Sequence, residues 1–180
     1  MGLFGSKKKV DELLQATYLG DRTAVFGLVR DGVKTGAKNK AGINAMHVIG
    51  YLSEDRTGIM DNLLFGKADI DEPEDNYGWT PLHVAAGMGN IKVAGQLLAK
   101  GANVNVPDKR GATPLDMAAA QSEKKMFDFL AEHGGQEGTG TIASGPLAVP
   151  VSKVGKAIDA VAQAAKEARA KAKAKAKAKK

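Results

Sequence analysis

The sequence predicts an all-α protein: a solenoid of about four helix pairs, followed by a linker and a basic C-terminal helix. Three observations carry that prediction. Residues 78–86, Gly-Trp-Thr-Pro-Leu-His-Val-Ala-Ala, return 33 positions later as residues 111–119, Gly-Ala-Thr-Pro-Leu-Asp-Met-Ala-Ala. Residues 63–71 match residues 97–105 at a spacing of 34. Between these motifs Ile91, Val93, Ala94, Leu97 and Leu98 recur at the helical period. A fixed period of this size marks stacked units, each burying its apolar face on the next.

Taken in order, residues 1–9 read as a flexible basic start with Lys7, Lys8 and Lys9. The repeat region runs from 10 to 134. Leu13, Leu14, Val25, Leu28 and Val29 begin it as a helix pair without a leading turn. A divergent copy follows, with Gly42 and His47 placed 36 residues before Gly78 and His83. In the two strong copies a glycine supplies the tight turn, Thr80 and Thr113 suit an N-cap, and Pro81 and Pro114 fall at the first helical position, where a missing N–H is harmless. Gly101 ends the second helix of its copy with a left-handed cap. The divergent copy has Asn44-Ala45 for Thr-Pro and Lys67 for the capping glycine, changes expected to cost about 1 kcal/mol each and to make this repeat the softest. Residues 135–150, rich in Gly, Ser, Thr and Ala with Pro146 and Pro150, read as a flexible linker. In residues 151–180, Val151, Val154, Ile158, Val161, Ala165 and Ala168 form a thin amphipathic stripe, and Ala-Lys alternation closes the chain.

Thr-Pro-Leu-His-x-Ala at a 33-residue period resembles the ankyrin-repeat family, and the likeness covers residues 10–134. The resemblance implies antiparallel helix pairs, a role in protein binding, and a concave face built from hairpin tips and inner helices. Carried onto this chain, that face comprises Lys40, Ala41, Ile43, Tyr51, Leu52, Asn76, Tyr77, Trp79, Gly87, Met88, Lys109, Arg110, Ala112, Ala120 and Gln121. It holds the single Trp and two of three Tyr, residue types that dominate interface hot spots, so Tyr77, Trp79 and Met88 are the expected anchors. The resemblance also gives His47 and His83 a structural role, bonding to the backbone of the neighbouring turn.

The chemistry-bearing residues point away from catalysis. There is no cysteine, hence no disulfide, thiolate site or thiol nucleophile. The acidic run Asp69, Asp71, Glu72, Glu74 and Asp75 lacks the spacing of a calcium loop and reads as a solvated hairpin tip. Neither Gly66-Lys67-Ala68 nor Gly155-Lys156-Ala157 carries the Ser or Thr of a phosphate loop, and no Ser sits in a nucleophile elbow. No catalytic residue, metal, cofactor or small-molecule substrate is expected. A secretory signal and a membrane span are both absent from the reading, which points to a cytoplasmic protein, peripheral at the inner face of a membrane if its termini hold it there.

Charge divides the chain unevenly. The net charge is +6, yet residues 10–150 hold 13 basic side chains against 18 acidic ones. Residues 151–180 hold ten Lys or Arg against Asp159 and Glu167. Lys7, Lys8, Lys9, Lys171, Lys173, Lys175, Lys177, Lys179 and Lys180 are therefore the expected contacts to an anionic surface. Residues 1–6, Met-Gly-Leu-Phe-Gly-Ser, match the acceptor pattern for N-myristoylation of Gly2 in a eukaryotic source, with the lysines as the second signal that one acyl chain needs. The tail also resembles Lys/Ala-rich linker-histone tails, which neutralise phosphates without reading sequence. Three functions stay open at this point. The first is an adaptor tethered by its termini. The second is a nucleic-acid-associated protein, and the third a structural component of a membrane or cytoskeletal assembly.

Overall fold

A computed structural model of the chain describes residues 3–139 and 151–177; Gly2, Lys179, Lys180 and residues 140–150 lie outside them. Among the described residues every regular element is a helix. They are α1 (Leu3–Leu19), α2 (Arg22–Arg30), α3 (Ala45–Tyr51), α4 (Thr57–Phe65), α5 (Pro81–Gly87), α6 (Ile91–Ala99), α7 (Pro114–Ala120), α8 (Lys124–Glu132) and α9 (Val151–Lys177). The first eight form four pairs. Inner helices α1, α3, α5 and α7 pack in sequence, with the second helix of each pair on the outer side. Leu13, Leu14, Met46, Ile49, Leu63, Leu82, Leu97, Met117 and Met126 fill one continuous core along the stack.

Local chemistry sets the helix ends. Thr80 and Thr113 cap α5 and α7, each with proline at the start of the helix behind it. Asn44 caps α3 in the same way, accepting from the amides of Met46 and His47 at 3.0 and 3.2 Å. Of the expected cost of replacing Thr-Pro by Asn44-Ala45 in the divergent copy, the capping half does not arise, since asparagine caps the helix; only the proline is missing. Its other departure is real, since Lys67 takes φ +65° where the next copy has Gly101 at φ +92°.

Two boundaries differ from the sequence reading. Lys7, Lys8 and Lys9 lie within α1 instead of in a free extension, because an Ala- and Leu-containing stretch downstream already supplies the helix nucleus that they prolong. At the other end, residues 135–138 are pinned to the last repeat. The Gln136 amide donates to Asn105 Oδ1 at 2.8 Å, the Gly138 amide to Asp116 Oδ2 at 2.8 Å, and the Thr113 hydroxyl to the Gln136 carbonyl at 2.7 Å.

Helix α9 returns to the opposite end of the stack and packs on α1, touching α3. Ile158, Val161, Ala162 and Ala165 are buried there, and residues 166–175 are exposed. Two large apolar residues flanked by alanines let the helix lie close. Gly155 allows the closest approach, as a Cβ there would sit 3.3 Å from the Tyr51 ring.

Candidate functional site: the hairpin face

Each hairpin is built around one side-chain acceptor. In the first, Asn39 Oδ1 accepts from the amides of Ala41 and Ile43 at 2.9 and 3.3 Å. In the third, Asp108 Oδ1 accepts from Arg110 and Ala112 at 2.8 and 3.0 Å, while its Oδ2 takes the Arg110 guanidinium at 2.8 Å and the Trp79 indole N–H at 3.1 Å. In the second the acceptor is Glu74, which is 1% exposed and receives the amides of Asn76, Tyr77 and Trp79. This hairpin reaches its glycine one residue later than its neighbours do, and the longer glutamate side chain spans the extra step.

The acidic run is therefore a solvated tip only in part: Asp69 and Asp75 are exposed, but the run also organises its surroundings. Glu74 organises a turn, Asp71 accepts the Asn103 amide of the next repeat at 3.0 Å, and Glu72 and Asp75 both hold Lys38 of the preceding hairpin, at 2.9 and 2.8 Å. Sequence reasoning missed these residues because it tested the run only for a calcium loop. The recurrence of Asn39, Glu74 and Asp108 just before each turn glycine is the signal that would have found them.

Successive repeats are joined by the signature histidines. His83 Nδ1 accepts from the Thr80 amide at 3.1 Å and faces the Thr80 hydroxyl at 2.9 Å, while Nε2 faces the Ala112 carbonyl at 3.1 Å. His47 Nε2 reaches the Trp79 carbonyl at 2.9 Å in the same fashion. Both rings are buried, and burial pushes each down to about 4, so both are neutral near pH 7. In the last repeat no further hairpin offers a carbonyl, and Asp116 replaces the histidine. It accepts from the Thr113 and Gly138 amides at 2.8 Å each, closing the stack.

The expected partner face is only partly reachable. Trp79, Ile43 and Ala112 are buried, at 1%, 0% and 3% exposure, and this corrects their assignment as contacts. Trp79 stacks on Tyr77 with ring centroids 5.0 Å apart and spends its N–H on Asp108, so it is the core of two hairpins. Lys40, Asn76, Lys109 and Arg110 are exposed; Tyr51, Leu52, Tyr77 and Met88 are half-buried, as are Ala41, Gly87, Ala120 and Gln121. Lys109 is tied to the carbonyls of Asp75 and Asn76, which binds adjacent tips together. Tyr51 is engaged by α9, its hydroxyl donating to Asp159 at 3.2 Å, and Lys40 and Ala41 line a groove shared with Ala160 and Val161. The accessible remainder runs from Asn76, Tyr77 and Arg110 at the hairpin tips to Met88 at the far end of α5. No helix among the described residues is long and apolar enough to cross a membrane, and no cluster of metal-ligating side chains occurs there.

Comparison with known proteins agrees with this architecture. The family model for ankyrin repeats (3 copies) matches residues 13–108 and 52–139. Among similar curated proteins, the mouse (Mus musculus) RelA-associated inhibitor is 33% identical over 95 residues, 52% of this chain and 12% of its own length. The mouse 2-5A-dependent ribonuclease is 40% identical over 62 residues, 34% of this chain and 8% of that protein. The Xenopus laevis inhibitor of Bruton tyrosine kinase is 37% identical over 81 residues, 44% of this chain and 6% of that protein. The chain thus spans about a tenth of the length of these relatives. With the repeat spacing, the histidine bridges and the family match in agreement, the chain belongs to the ankyrin-repeat family.

Proposed function

We propose that this protein is a non-enzymatic adaptor that grips a protein partner with its repeat face and is tethered to an anionic surface by its basic termini. The observation that carries the first half is the uncovered stretch of inner face around Tyr77 and Met88. Two large, half-buried side chains stand there, Tyr77 at the hairpin and Met88 at the far end of α5, with exposed Asn76 and Arg110 on the adjacent hairpin tips. Family membership supports a protein-interaction role, and relatives named as inhibitors of other proteins fit it. The buried histidines and carboxylates are committed to structure: His47, His83, Glu74 and Asp116 each serve a turn or a repeat junction.

The second half rests on charge. Lys7, Lys8 and Lys9 are exposed on α1, and the exposed half of α9 carries Lys171, Lys173 and Lys175 with no aromatic side chain for base stacking. This supports a cytoplasmic protein held at an anionic surface, with acylation of Gly2 as a reinforcing signal in a eukaryotic host. The test of the partner site uses Trp79 as reporter, since it is the sole Trp and stacks beneath Tyr77. A partner isolated on the immobilised protein should change Trp79 emission, and the Tyr77→Ala/Met88→Ala variant should bind it about 30-fold more weakly while its circular dichroism keeps the helix content of the wild type. Equal binding by that variant would move the site elsewhere.

A further inference from the structure

Helix α9 does more than carry lysines, because its direction decides where they end up. Tyr51, the last residue of α3, touches Gly155 and Asp159 near the start of α9. Residues 39–41, in the hairpin before α3, line a groove with the later residues Val161 and Ala164. So α9 runs antiparallel to α3. Helix α1 runs parallel to α3: its Tyr18 carbonyl accepts from Arg56, beyond the end of α3, and its Lys7 lies with Lys38 and Lys40 at the hairpin. Hence α9 is antiparallel to α1, and the first turns of α1 and the lysine half of α9 lie at the same end of the molecule.

At 1.5 Å per residue, Lys171 lies about 10 Å beyond Ala164, while Leu3 lies about 12 Å before Asp11 on the facing helix. The two basic segments, which the sequence separates by the whole repeat stack between Lys9 and Lys171, are brought level by the packing of α9 on α1, where Ile158 and Val161 are buried. The neighbouring acids are outnumbered: Asp11, Glu12 and Glu167 stand against Lys7, Lys8, Lys9, Lys166, Arg169, Lys171, Lys173 and Lys175, and Glu12 comes no nearer to Lys8 than 4.0 Å.

We infer that α1 and docked α9 together form one composite basic pole that binds the surface of an anionic bilayer. The inference rests on the tether reading above and adds that the two termini act as a single preassembled site. A bilayer fits better than a nucleic acid. The first turn of α1 carries Leu3 and Phe4 beside the lysines, and residues 166–177 contain only Lys, Arg, Ala and one Glu, with no side chain to read or stack on a base. Preassembly makes the second set of contacts intramolecular, with a fixed separation in place of one set by the linker.

The test is vesicle binding by the full chain, using phosphatidylcholine vesicles with and without about 30% phosphatidylserine, a composition set in the range where polybasic segments respond. Two variants detach α9 without changing charge. Ile158→Ser/Val161→Ser weakens the stripe, and Gly155→Leu drives a side chain into Tyr51 while making the stripe more apolar. Hydrogen exchange of residues 155–165 reports detachment, and the melting curve of the repeats reports their integrity. Both variants should bind anionic vesicles about tenfold more weakly than the wild type. Unchanged binding by detached variants would overturn the composite pole and leave two independent tethers. Tighter binding by Gly155→Leu would overturn it in favour of insertion of the apolar stripe. Failure of the wild type to prefer anionic vesicles, or binding to duplex DNA in their place, would instead overturn the tether reading itself.

Discussion

The junction between the second and third repeats and the junction before it use the same parts with one substitution, and the difference shows what the consensus threonine is for. At the later junction the Thr80 hydroxyl can donate to His83 Nδ1, freeing the ring to donate from Nε2 to the Ala112 carbonyl. At the earlier one Asn44 Oδ1 lies 2.7 Å from His47 Nδ1, while Nε2 lies 2.9 Å from the Trp79 carbonyl. A neutral imidazole has one N–H and can serve only one of these two oxygens. The Asn44 amide nitrogen is buried without a partner. His47 Nδ1 still accepts the Asn44 backbone amide at 3.3 Å. Asparagine therefore satisfies the helix start but sets its Oδ1 against a ring nitrogen that has no proton to give, and leaves its own side-chain amide nitrogen unpaired. The softness expected of this repeat would then come from the orphaned amide rather than from a poorer helix start.

The largest effect in this comparison should come from removing the consensus bridge. His83→Ala leaves the Thr80 amide buried and unpaired, leaves the Ala112 carbonyl only the Asp108 amide, cuts the bridge between repeats and opens a cavity, a loss of about 3 kcal/mol in urea unfolding at pH 7. The same variant dissects the acid response. Each buried ring titrates near 4 in the folded protein and near its ordinary value of about 6.5 in the unfolded chain. Above that value both states are neutral and the stability is complete. As pH falls from about 6.5 towards 4 only the unfolded chain takes up the protons, so stability is lost at up to roughly 1.4 kcal/mol per pH unit for each histidine. Between pH 7 and 5, His83→Ala should halve the slope of stability against pH. A slope unchanged by the substitution would show that the ring is charged in the fold or titrates elsewhere.

How much of this was legible depended on whether a residue's role is local or between repeats. The helix pairs, the Thr80 and Thr113 caps and the bridging role of His47 and His83 follow from a repeated motif, because each copy poses the same packing problem. Trp79 was misplaced on the surface. Its position is variable in the family, and nothing local to it announces that Asp108, 29 residues on, takes its N–H. Glu74 was missed for a similar reason, as its three amide partners become neighbours only once the hairpin closes. The stripe on α9 was visible, but its seat on α1 was not, since nothing in an amphipathic pattern names the surface it meets. The ends of the stack diverge most from expectation because only there does the repeat lack a neighbour of its own kind.

A smaller and opposite effect should follow from restoring the threonine. Asn44→Thr returns a hydroxyl donor to His47 Nδ1 and removes the orphaned amide, at the loss of one of the two backbone bonds that Asn44 now accepts. The net gain should be about 1 kcal/mol, with slower hydrogen exchange across residues 43–67. A destabilised variant would mean that the Met46 bond outweighs the orphan.

The smallest effect concerns the turn that closes this repeat. Lys67 holds φ +65° and, between α7 and α8 of the last repeat, Ser122 holds φ +58°, both in the left-handed region where a Cβ crowds the backbone, whereas Gly101 and Gly89 occupy the matching turns at no such cost. Lys67→Gly removes that strain but enlarges the conformational freedom of the unfolded chain, so the two terms oppose each other. Lys67 is exposed and makes no ion pair among the described residues, leaving the backbone as the only term to change. The balance favours glycine by about 0.5–1 kcal/mol, readable as a small upward shift in the urea midpoint. Ser122→Gly should shift it similarly, and Gly101→Ala should shift it down by a comparable amount. If both glycine variants lower the midpoint, unfolded-state entropy dominates these turns, and the divergent repeat owes its softness to Asn44 alone.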